Sequence, residues 1–344
     1  MSTAYEIGTP KLIEKAYGEK YGLCRIPGMV ITSKGTIICY YEAREDFRDQ
    51  AKIDIKVIRS TDGGESFEDV MTVFGDGDTM NNPVMIVNGD VIHFLYFRNY
   101  CQLYHSKSTD DGKSFSKARE ITDVLLSDNI PYTEAAVGPG HGIVHGGRLI
   151  VPLWYVHNPD DPKSHANSST RTLYSEDNGE SWKLGEDVSK GVLNDANESA
   201  LAVNADGKVL MSLRHRTNEG VNRALALSSD GISGWSVPTL SANLPDPRCM
   251  GSMAHDNGSI YHINCTAQKT REDLTIKISR DCFESFESIY VSKYAGYSDI
   301  AVNDGTVYVF YERFHEPFHR KWNPNVKTTP DPEDGLYFVK IKKK

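Results

Sequence analysis

The sequence predicts an all-β protein, a six-bladed β-propeller of four-stranded antiparallel blades, because one turn motif recurs and a strand-like stretch leads into every copy. The motif is Ser-x-Asp-x-Gly-x-x-aromatic, and its copies are spaced by about 50 to 70 residues. Five copies, intact or degraded, are present: STDGGESF from Ser60, STDDGKSF from Ser108, SEDNGESW from Ser175, SSDGISGW from Ser228 and SRDCFESF from Ser279. Repeats of this period indicate an array of similar structural units.

Each copy has the chemistry of a hairpin turn. The Asp side chain bonds back to nearby backbone N–H groups, Gly takes a left-handed conformation, and the aromatic residue packs beneath the turn. Two copies depart from the pattern. SSDGISGW displaces its second glycine, and SRDCFESF has Cys282 where the first turn glycine usually stands. We expect these two turns to persist in an altered geometry.

Short β-rich stretches run into each turn, and further ones fill the gaps between turns. The stretches that lead into the five copies are IDIKVIRS, CQLYHSKS, TRTLYSED, RALALSSD and LTIKISRD. Helical periodicity is scarce outside residues 11–17. Repeating units of four short strands with a glycine-rich turn at a fixed place are typical of propeller blades.

Five copies, with the sequence before the first and after the last, account for six blades. We expect the closing blade to combine an N-terminal strand with the C-terminal stretch GLYFVKIKKK. The composition shows no break, so residues 1–344 are interpreted as one β-propeller domain. The segment 317–335, rich in Pro, Asn and Asp, is expected to be an ordered excursion of the last blade.

Composition and charge limit the classes of function that this protein can have. A hydrophobic content of 39% and a charged content of 25% are ordinary for a soluble globular protein. The net charge of -9 argues against nucleic acid as the main partner. No apolar run is long enough to span a bilayer, and the N-terminus has no signal-peptide core. As written, the chain is expected to be cytoplasmic, or else the mature form of a secreted or periplasmic protein.

The six cysteines are dispersed and include no CxxC pair. This spacing favours reduced, packed thiols over a disulfide framework or a zinc site.

Between the repeated turns lie motifs that occur once each. In chain order they are CRIPG, EAREDFRD, VGPGHGI, NES, SLRHR, TREDLTIKIS, AGYSDI and FYE. In this order they resemble the sialidase (exo-α-neuraminidase) family, whose members are six-bladed propellers with such turns, called Asp boxes, and an Arg-Ile-Pro motif. The resemblance runs from Arg25 to about Glu312. It implies an exo-α-sialidase that releases terminal α-linked sialic acid with retention through a covalent tyrosyl intermediate, with no metal or organic cofactor.

The resemblance implies a clamp of three arginines for the carboxylate on the anomeric carbon of the sugar. These are Arg25, Arg214 and Arg271, with Arg216 as an alternate two residues beyond Arg214. Arginine suits this role because its planar guanidinium makes bidentate bonds to a carboxylate and keeps its proton.

The general acid is expected in the segment EAREDFRDQ. Asp49 and Asp46 are the candidates, with Glu45 less favoured, and the register of the family motif falls on Asp49. Arg44 is expected to contact the substrate near its 4-position, and Glu42 to support the strand.

The nucleophile is expected to be a tyrosine. A carboxylate would be repelled by the carboxylate of the substrate, so a neutral hydroxyl activated by a base is preferable. Sialidases use tyrosine in this way. By the motif match, Tyr297 is the nucleophile, Glu198 its base, and Glu312 the acid that orients Arg25.

Two further side chains, His141 and Trp154, are expected to contact the N-acyl or glycerol side of the sugar. His165 is interpreted as an ordinary loop histidine, because the histidines have no metal-like spacing.

The expected partner is a sialylated glycan or a small sialoside. Two alternatives remain. The same fold could act on a related ulosonic acid, such as deaminated sialic acid or Kdo, or release an anhydro or transferred product. The chain could also be a non-catalytic glycan-binding propeller.

Overall fold

The structure is a computed structural model that describes residues 4–18, 21–128, 131–161, 165–217, 222–315 and 331–344. Most of the segment 317–335 that was predicted to be an ordered excursion lies outside these residues. In the described part of the chain, the regular structure is almost entirely β, with one short 3-10 turn at Thr122–Leu126.

Six sheets form six blades around a central axis, which confirms the predicted fold class. The chain begins with β1 (Tyr5–Ile7) and β2 (Lys11–Lys15), which belong to the sixth blade. The first blade contains β3 (Leu23–Ile31), β4 (Ile37–Arg44), β5 (Ile53–Ser60) and β6 (Met71–Phe74). The second contains β7 (Met80–Asn88), β8 (Val91–Arg98), β9 (Gln102–Ser108) and β10 (Arg119–Glu120).

The chain continues into the third blade and places one short strand back on the second. The third blade contains β11 (Glu134–Val137), β13 (Ile143–His145), β14 (Arg148–Val156), β15 (Ser168–Ser175) and β16 (Lys183–Asp187). Between β11 and β13, β12 (Gly140–His141) adds to β7 of the second blade as a parallel strand. Two blades therefore have a fifth strand here, and one pairing departs from the antiparallel pattern.

The last three blades complete the ring. The fourth contains β17 (Ser199–Val203), β18 (Val209–Leu213), β19 (Asn222–Ser228) and β20 (Thr239–Pro245). The fifth contains β21 (Ser252–Asp256), β22 (Ser259–Cys265), β23 (Glu272–Ser279) and β24 (Glu287–Tyr294). The sixth contains β25 (Ser298–Asn303), β26 (Thr306–Arg313) and β27 (Gly335–Lys343), joined by β1 and β2. The first strands of neighbouring blades pack against one another around the axis.

The sixth blade closes the ring with strands from both ends of the chain, as the sequence predicts. β27 pairs with β26 on one side and with β1 and β2 on the other. The helical periodicity at residues 11–17 is not realised, since β2 occupies most of that segment. Pairing with β27 supplies β2 with backbone hydrogen bonds, and this tertiary contact overrides the weak helical preference.

The Asp-box turns show why the two altered copies still fold. In the first copy, Asp62 Oδ1 accepts the backbone N–H of Ser66, four residues on, at 2.9 Å. In the fourth copy, Asp230 Oδ1 accepts the N–H of Ser233, only three residues on, at 2.8 Å. In the fifth copy, Cys282 and Phe283 both take the left-handed conformation, at φ +55° and +72°. Phe283 stands where the first three copies have their glycine, and its N–H donates to Ser279 Oγ as the N–H of that glycine does in the first copy. The turn chemistry is therefore kept while the loop geometry changes.

The hydrophobic core lies within and between the blades. Each buried cluster joins residues of adjacent blades, such as Ile276 of the fifth with Val309 of the sixth. All six cysteines are free thiols, and only Cys101 is exposed. Across the described residues, no helix has the length and apolar character needed to cross a membrane.

Replacing Leu336 by alanine tests the closing blade. Leu336 lies on β27, is fully buried, and belongs to the cluster that joins the sixth blade to the first. We expect Leu336→Ala to lower the free energy of unfolding by about 2–5 kcal/mol, because the surrounding core cannot fully collapse into the cavity left behind. Leu126→Ala, at a leucine that is 55% exposed, is the matched control and should change it by less than about 0.5 kcal/mol. Chemical denaturation measures both, and equal small effects would contradict the closing role of β27.

Candidate active site

Eight of the predicted site residues line one cavity of about 420 Å³ at one end of the propeller. They are Arg25, Arg44, Asp49, Trp154, Glu198, Arg214, Arg271 and Tyr297. Six of them lie within two residues of the start of the first strand of a blade or of the end of the second, and Asp49 and Arg271 lie in loops between a second and a third strand. Because the first two strands of a blade are antiparallel, these positions share one edge of each sheet. The closed ring then brings the edges of five blades together.

Glu312 lies beneath the cavity and organises two sides of it. Its carboxylate accepts the Nε–H and Nη2–H of Arg25 at 3.1 and 3.3 Å. It also accepts the backbone N–H of Ile26 and of Tyr297, each at 3.0 Å. The charge of the buried carboxylate is therefore paired and hydrogen-bonded, which offsets the free-energy cost of removing it from water. The link ties the sixth blade to the first.

The backbone on both sides of the Glu312 carboxylate leaves the space that this group occupies. Ile26 has φ +58°, a left-handed conformation that is strained for a β-branched residue. The register of β3 against β4 shifts between Arg25 and Gly28, at the same place. Across the carboxylate, a Cβ on Gly296 would lie 2.2 Å from Glu312 Oε2, so only glycine fits there.

Tyr297 is surrounded by the three arginines of the predicted clamp. The guanidinium carbons of Arg25 and Arg271 lie 5.0 and 5.2 Å from the centre of the tyrosine ring. Arg214 donates from Nη1 to the phenolic oxygen at 3.0 Å, and it also contacts the carboxylate of Glu198. The Tyr297 hydroxyl donates to Glu198 Oε1 at 2.5 Å. A phenol, a carboxylate and three cations thus meet at one point.

The charges around this phenol favour a protonated tyrosine beside an ionised glutamate. Burial raises the pKa of Tyr297, the Glu198 carboxylate raises it further, and the arginines only partly oppose them. Burial alone would raise the pKa of Glu198, but Arg214 and the hydrogen bond from Tyr297 outweigh it and hold that pKa below its usual value. Glu198 is therefore placed to accept the phenolic proton.

The second carboxylate at the cavity is that of Asp49. Arg44 donates to Asp49 Oδ1 at 2.7 Å and to the buried Glu42 at 2.7 Å, and Glu42 in turn accepts the backbone N–H of Asn82 at 2.7 Å. Burial would raise the pKa of Asp49, but the Arg44 guanidinium outweighs it and keeps that pKa lowered. Asp46, the alternative acid, lies on the exposed loop and pairs with Arg48. Of the two candidates, only Asp49 lines the cavity.

His141 does not reach this cavity. The residue lies on β12, and its Nδ1 is 2.8 Å from Asp299 Oδ1, which also accepts the Ser252 hydroxyl at 2.5 Å. It lines a separate cavity of about 280 Å³. The parallel pairing of β12 with β7 carries the histidine to the inner strands. His141 therefore does not line the cavity in which its predicted contact with the sugar would be made.

Sequence reasoning missed several side chains that line the cavity. Asn82 and Tyr100 lie near the start of β7 and beyond the end of β8, positions that the shared sheet edge could have revealed. His165 also lines the cavity and is not an ordinary loop histidine. Its Nε2 lies 3.2 Å from Glu134 Oε2, and its ring lies 5.1 Å from that of Trp154. No local motif marks it, because its partners come from distant strands.

The balance of charge suits an anionic ligand. Five guanidinium groups line the cavity, those of Arg25, Arg44, Arg214, Arg216 and Arg271, against the two carboxylates of Asp49 and Glu198. Arginines in such an arrangement match the planar geometry of a carboxylate. Within the part of the chain that the structure describes, no group of three or more His, Cys, Asp or Glu side chains is arranged to hold a metal ion.

The fold and its repeated turns define a class of protein. The model of the BNR repeat-like domain matches residues 70–309, and the chain belongs to that family.

Curated relatives confirm the resemblance to sialidases. The chain is 28% identical to a sialidase of Bacteroides fragilis over 75% of this chain and 53% of that protein. It is 26% identical to an exo-alpha-sialidase of Arthroderma benhamiae over 77% of this chain and 69% of that protein. It is 25% identical to a sialidase of Micromonospora viridifaciens over 84% and 49%. The chain thus spans about half the length of the first and third of these relatives.

Solved structures share the fold. A Hadza microbial sialidase superposes with a TM-score of 0.77 at 23% identity, over 88% of this chain and 66% of that one. A leech intramolecular trans-sialidase superposes with a TM-score of 0.74 at 19% identity, over 97% and 70%. At such identities the likeness shows the propeller architecture, and it does not show the activity.

Removing the Glu312 carboxylate tests its structural role. Glu312→Ala removes the buried carboxylate that pairs with the Arg25 guanidinium and accepts two backbone N–H groups, so we expect a loss of about 3–5 kcal/mol in the free energy of unfolding. Glu65→Ala is the matched control. Glu65 is 68% exposed and pairs with Lys11 at 3.3 Å, so its loss should cost less than about 1 kcal/mol. Denaturation curves compare the two, and a small effect at Glu312 would show that this carboxylate does not join the blades.

Proposed function

We propose that the protein is an exo-α-sialidase, a retaining glycoside hydrolase that releases terminal α-linked sialic acid through a covalent tyrosyl intermediate. The observation that carries this proposal is the meeting of Tyr297 with Glu198 and three arginines, with Asp49 in the same cavity. The names of the curated relatives support the same substrate class.

The substrate carboxylate would be held by Arg25, Arg214 and Arg271. Glu312 fixes the side chain of Arg25, and Glu198 fixes that of Arg214, so these two guanidinium groups are ordered before the ligand arrives. Ordering a binding site in advance reduces the entropy lost on binding. Three cations around one point also offset the repulsion between the substrate carboxylate and Glu198.

A tyrosine suits the nucleophilic role because the reacting carbon carries a carboxylate. Glu198 accepts the phenolic proton as Tyr297 attacks the anomeric carbon, so that no free carboxylate need approach the sugar. Arg214, which donates to the same phenolic oxygen, stabilises the negative charge that develops on it.

Asp49 would protonate the leaving glycosidic oxygen and later activate the water that releases the sugar. Its lowered pKa has a consequence for the pH dependence. A group with a depressed pKa is ionised through the neutral range, whereas the acid step needs its protonated form. We therefore expect kcat/KM to be highest at acidic pH and to fall as the pH rises through the pKa of Asp49.

Replacing Tyr297 by phenylalanine tests the nucleophile. With 4-methylumbelliferyl N-acetylneuraminide as substrate, Tyr297→Phe should lower kcat by about 10²-fold or more. Binding of the dehydrated sialic acid analogue, measured by calorimetry, should be retained. Tyr290→Phe, at a tyrosine on the exposed face of β24, is the matched control and should leave kcat unchanged. Full turnover by Tyr297→Phe would refute the assigned nucleophile.

Replacing Asp49 by asparagine tests the acid. The loss of kcat/KM for Asp49→Asn should be larger with sialyllactose than with the 4-methylumbelliferyl glycoside, because a poor leaving group depends more on protonation. Asp46→Asn is the control at the neighbouring exposed acid and should have little effect on either substrate. An equal loss on both substrates would mean that Asp49 does not protonate the leaving group.

The nature of the product separates the alternatives. Proton NMR of the first sugar released should show the α-anomer if the reaction proceeds with retention. A 2,7-anhydro sugar would indicate intramolecular transfer, and preferential turnover of deaminated sialic acid or Kdo glycosides would indicate a related ulosonic acid. Binding of the analogue with no turnover of any glycoside would support a glycan-binding propeller instead.

A further inference from the structure

A histidine–glutamate pair forms part of the cavity wall outside the arginine clamp. His165 Nε2 lies 3.2 Å from Glu134 Oε2, and the glutamate is almost fully buried on β11. The imidazole ring is also held by aromatic neighbours, with ring centres 5.1 Å away at Trp154 and 5.7 Å away at Tyr100. Its side chain is 28% exposed, so the ring has a fixed place and a face open to the cavity.

The surroundings of His165 favour its charged form. Burial alone would lower the pKa of His165, but Glu134 outweighs it, and the carboxylates of Asp49 and Glu198 add to the effect. The net shift of the His165 pKa is upward, which favours the charged imidazole. The cations on the other walls of the cavity, those of the five arginines, act in the opposite sense.

Asp49 is the acidic group of the proposed mechanism, and three cations act on it. Burial raises its pKa, whereas Arg44, Arg25 and His165 lower it. Arg44 contacts the carboxylate at 2.7 Å. The two arginines keep their charge at every pH at which the protein is folded. Among these three, His165 is the one cation whose charge changes near neutral pH.

We propose that His165, held by Glu134, is a positioning residue that controls how readily Asp49 takes up the proton it must deliver to the leaving group. This inference rests on the proposed function and deepens it. The Glu134 carboxylate favours the protonated imidazole, and the charged imidazole in turn favours the ionised form of Asp49, which lines the same cavity.

Coulomb attraction determines the direction in which His165 shifts the pKa of Asp49. A protonated His165 favours the ionised form of Asp49 and so disfavours the form that donates. Removing the imidazolium charge should therefore raise the pKa of Asp49, by roughly half a unit to one unit for two groups that line one cavity without touching. His165→Gln removes the charge directly. Glu134→Gln removes its support, and both variants should shift Asp49 in the same direction.

The experiment measures the titration of Asp49 itself. Carbon-13 NMR of protein labelled at the aspartate carboxyls, with the signal of Asp49 assigned through Asp49→Asn, gives this pKa without any need for turnover. The dependence of kcat/KM on pH with sialyllactose is the second readout. His165→Lys keeps a cation at the position and should retain the titration of the unsubstituted protein. His157→Gln, at an exposed histidine of the neighbouring loop, is the matched control.

We expect His165→Gln and Glu134→Gln to raise the pKa of Asp49 and to move the alkaline limb of kcat/KM upward by the same amount. An Asp49 titration that is unchanged in both variants, or shifted equally in His165→Lys, would overturn the proposal. The titration also separates this inference from the proposed function. A shift in the NMR signal with no turnover of any sialoside would support the coupling between His165 and Asp49 and reject the sialidase assignment.

Discussion

The carboxylate of Glu312 is the interaction on which the candidate site depends. It accepts four N–H groups, two from the side chain of Arg25 and one each from the backbones of Ile26 and Tyr297. One buried charge therefore sets the direction of a clamp arginine, the strained turn that carries it, and the backbone of the candidate nucleophile. The cost of burying it is offset only because every donor is in place together. For that reason the site forms only when the closing blade meets the first.

Electrostatics then divides the cavity into two regions. Around Tyr297, burial and the Glu198 carboxylate keep the phenol protonated, and three guanidinium groups oppose this only in part. Arg214 and the hydrogen bond from Tyr297 keep the neighbouring Glu198 ionised. Around Asp49, a buried arginine keeps the carboxylate ionised. The two carboxylates have their pKa values lowered by different partners, one by Arg214 and the other by Arg44. Pairs of titratable groups held by separate environments are typical of sites where acid and base roles are divided.

A second buried carboxylate, that of Asp299, joins several blades at the axis. It accepts the backbone N–H of Met29 at 2.7 Å and the hydroxyl of Ser252 at 2.5 Å, and it contacts His141 at 2.8 Å. Asp299 lies on β25, two residues beyond Tyr297, which immediately precedes that strand. At the axis, as at Glu312, one buried carboxylate accepts hydrogen bonds from donors that belong to different blades. His141 belongs to this structural network, which explains why its motif points to the site while its side chain does not.

The sequence by itself determined the repeated turns, the number of blades, the closing strands and the positions of the arginines, Glu198 and Tyr297 along the chain. These features are local or have a fixed order, so a motif can carry them. The motif register favoured Asp49 over Asp46, and the tertiary structure shows that Asp49 lines the cavity. Tertiary structure alone decided that His165 joins the cavity and that His141 does not. Those outcomes depend on which strand ends meet at the cavity and on partners such as Glu134 and Asp299, far away in the chain. It also decided that residues 11–15 pair as a strand, since β27 offers them hydrogen bonds that no helical periodicity reveals.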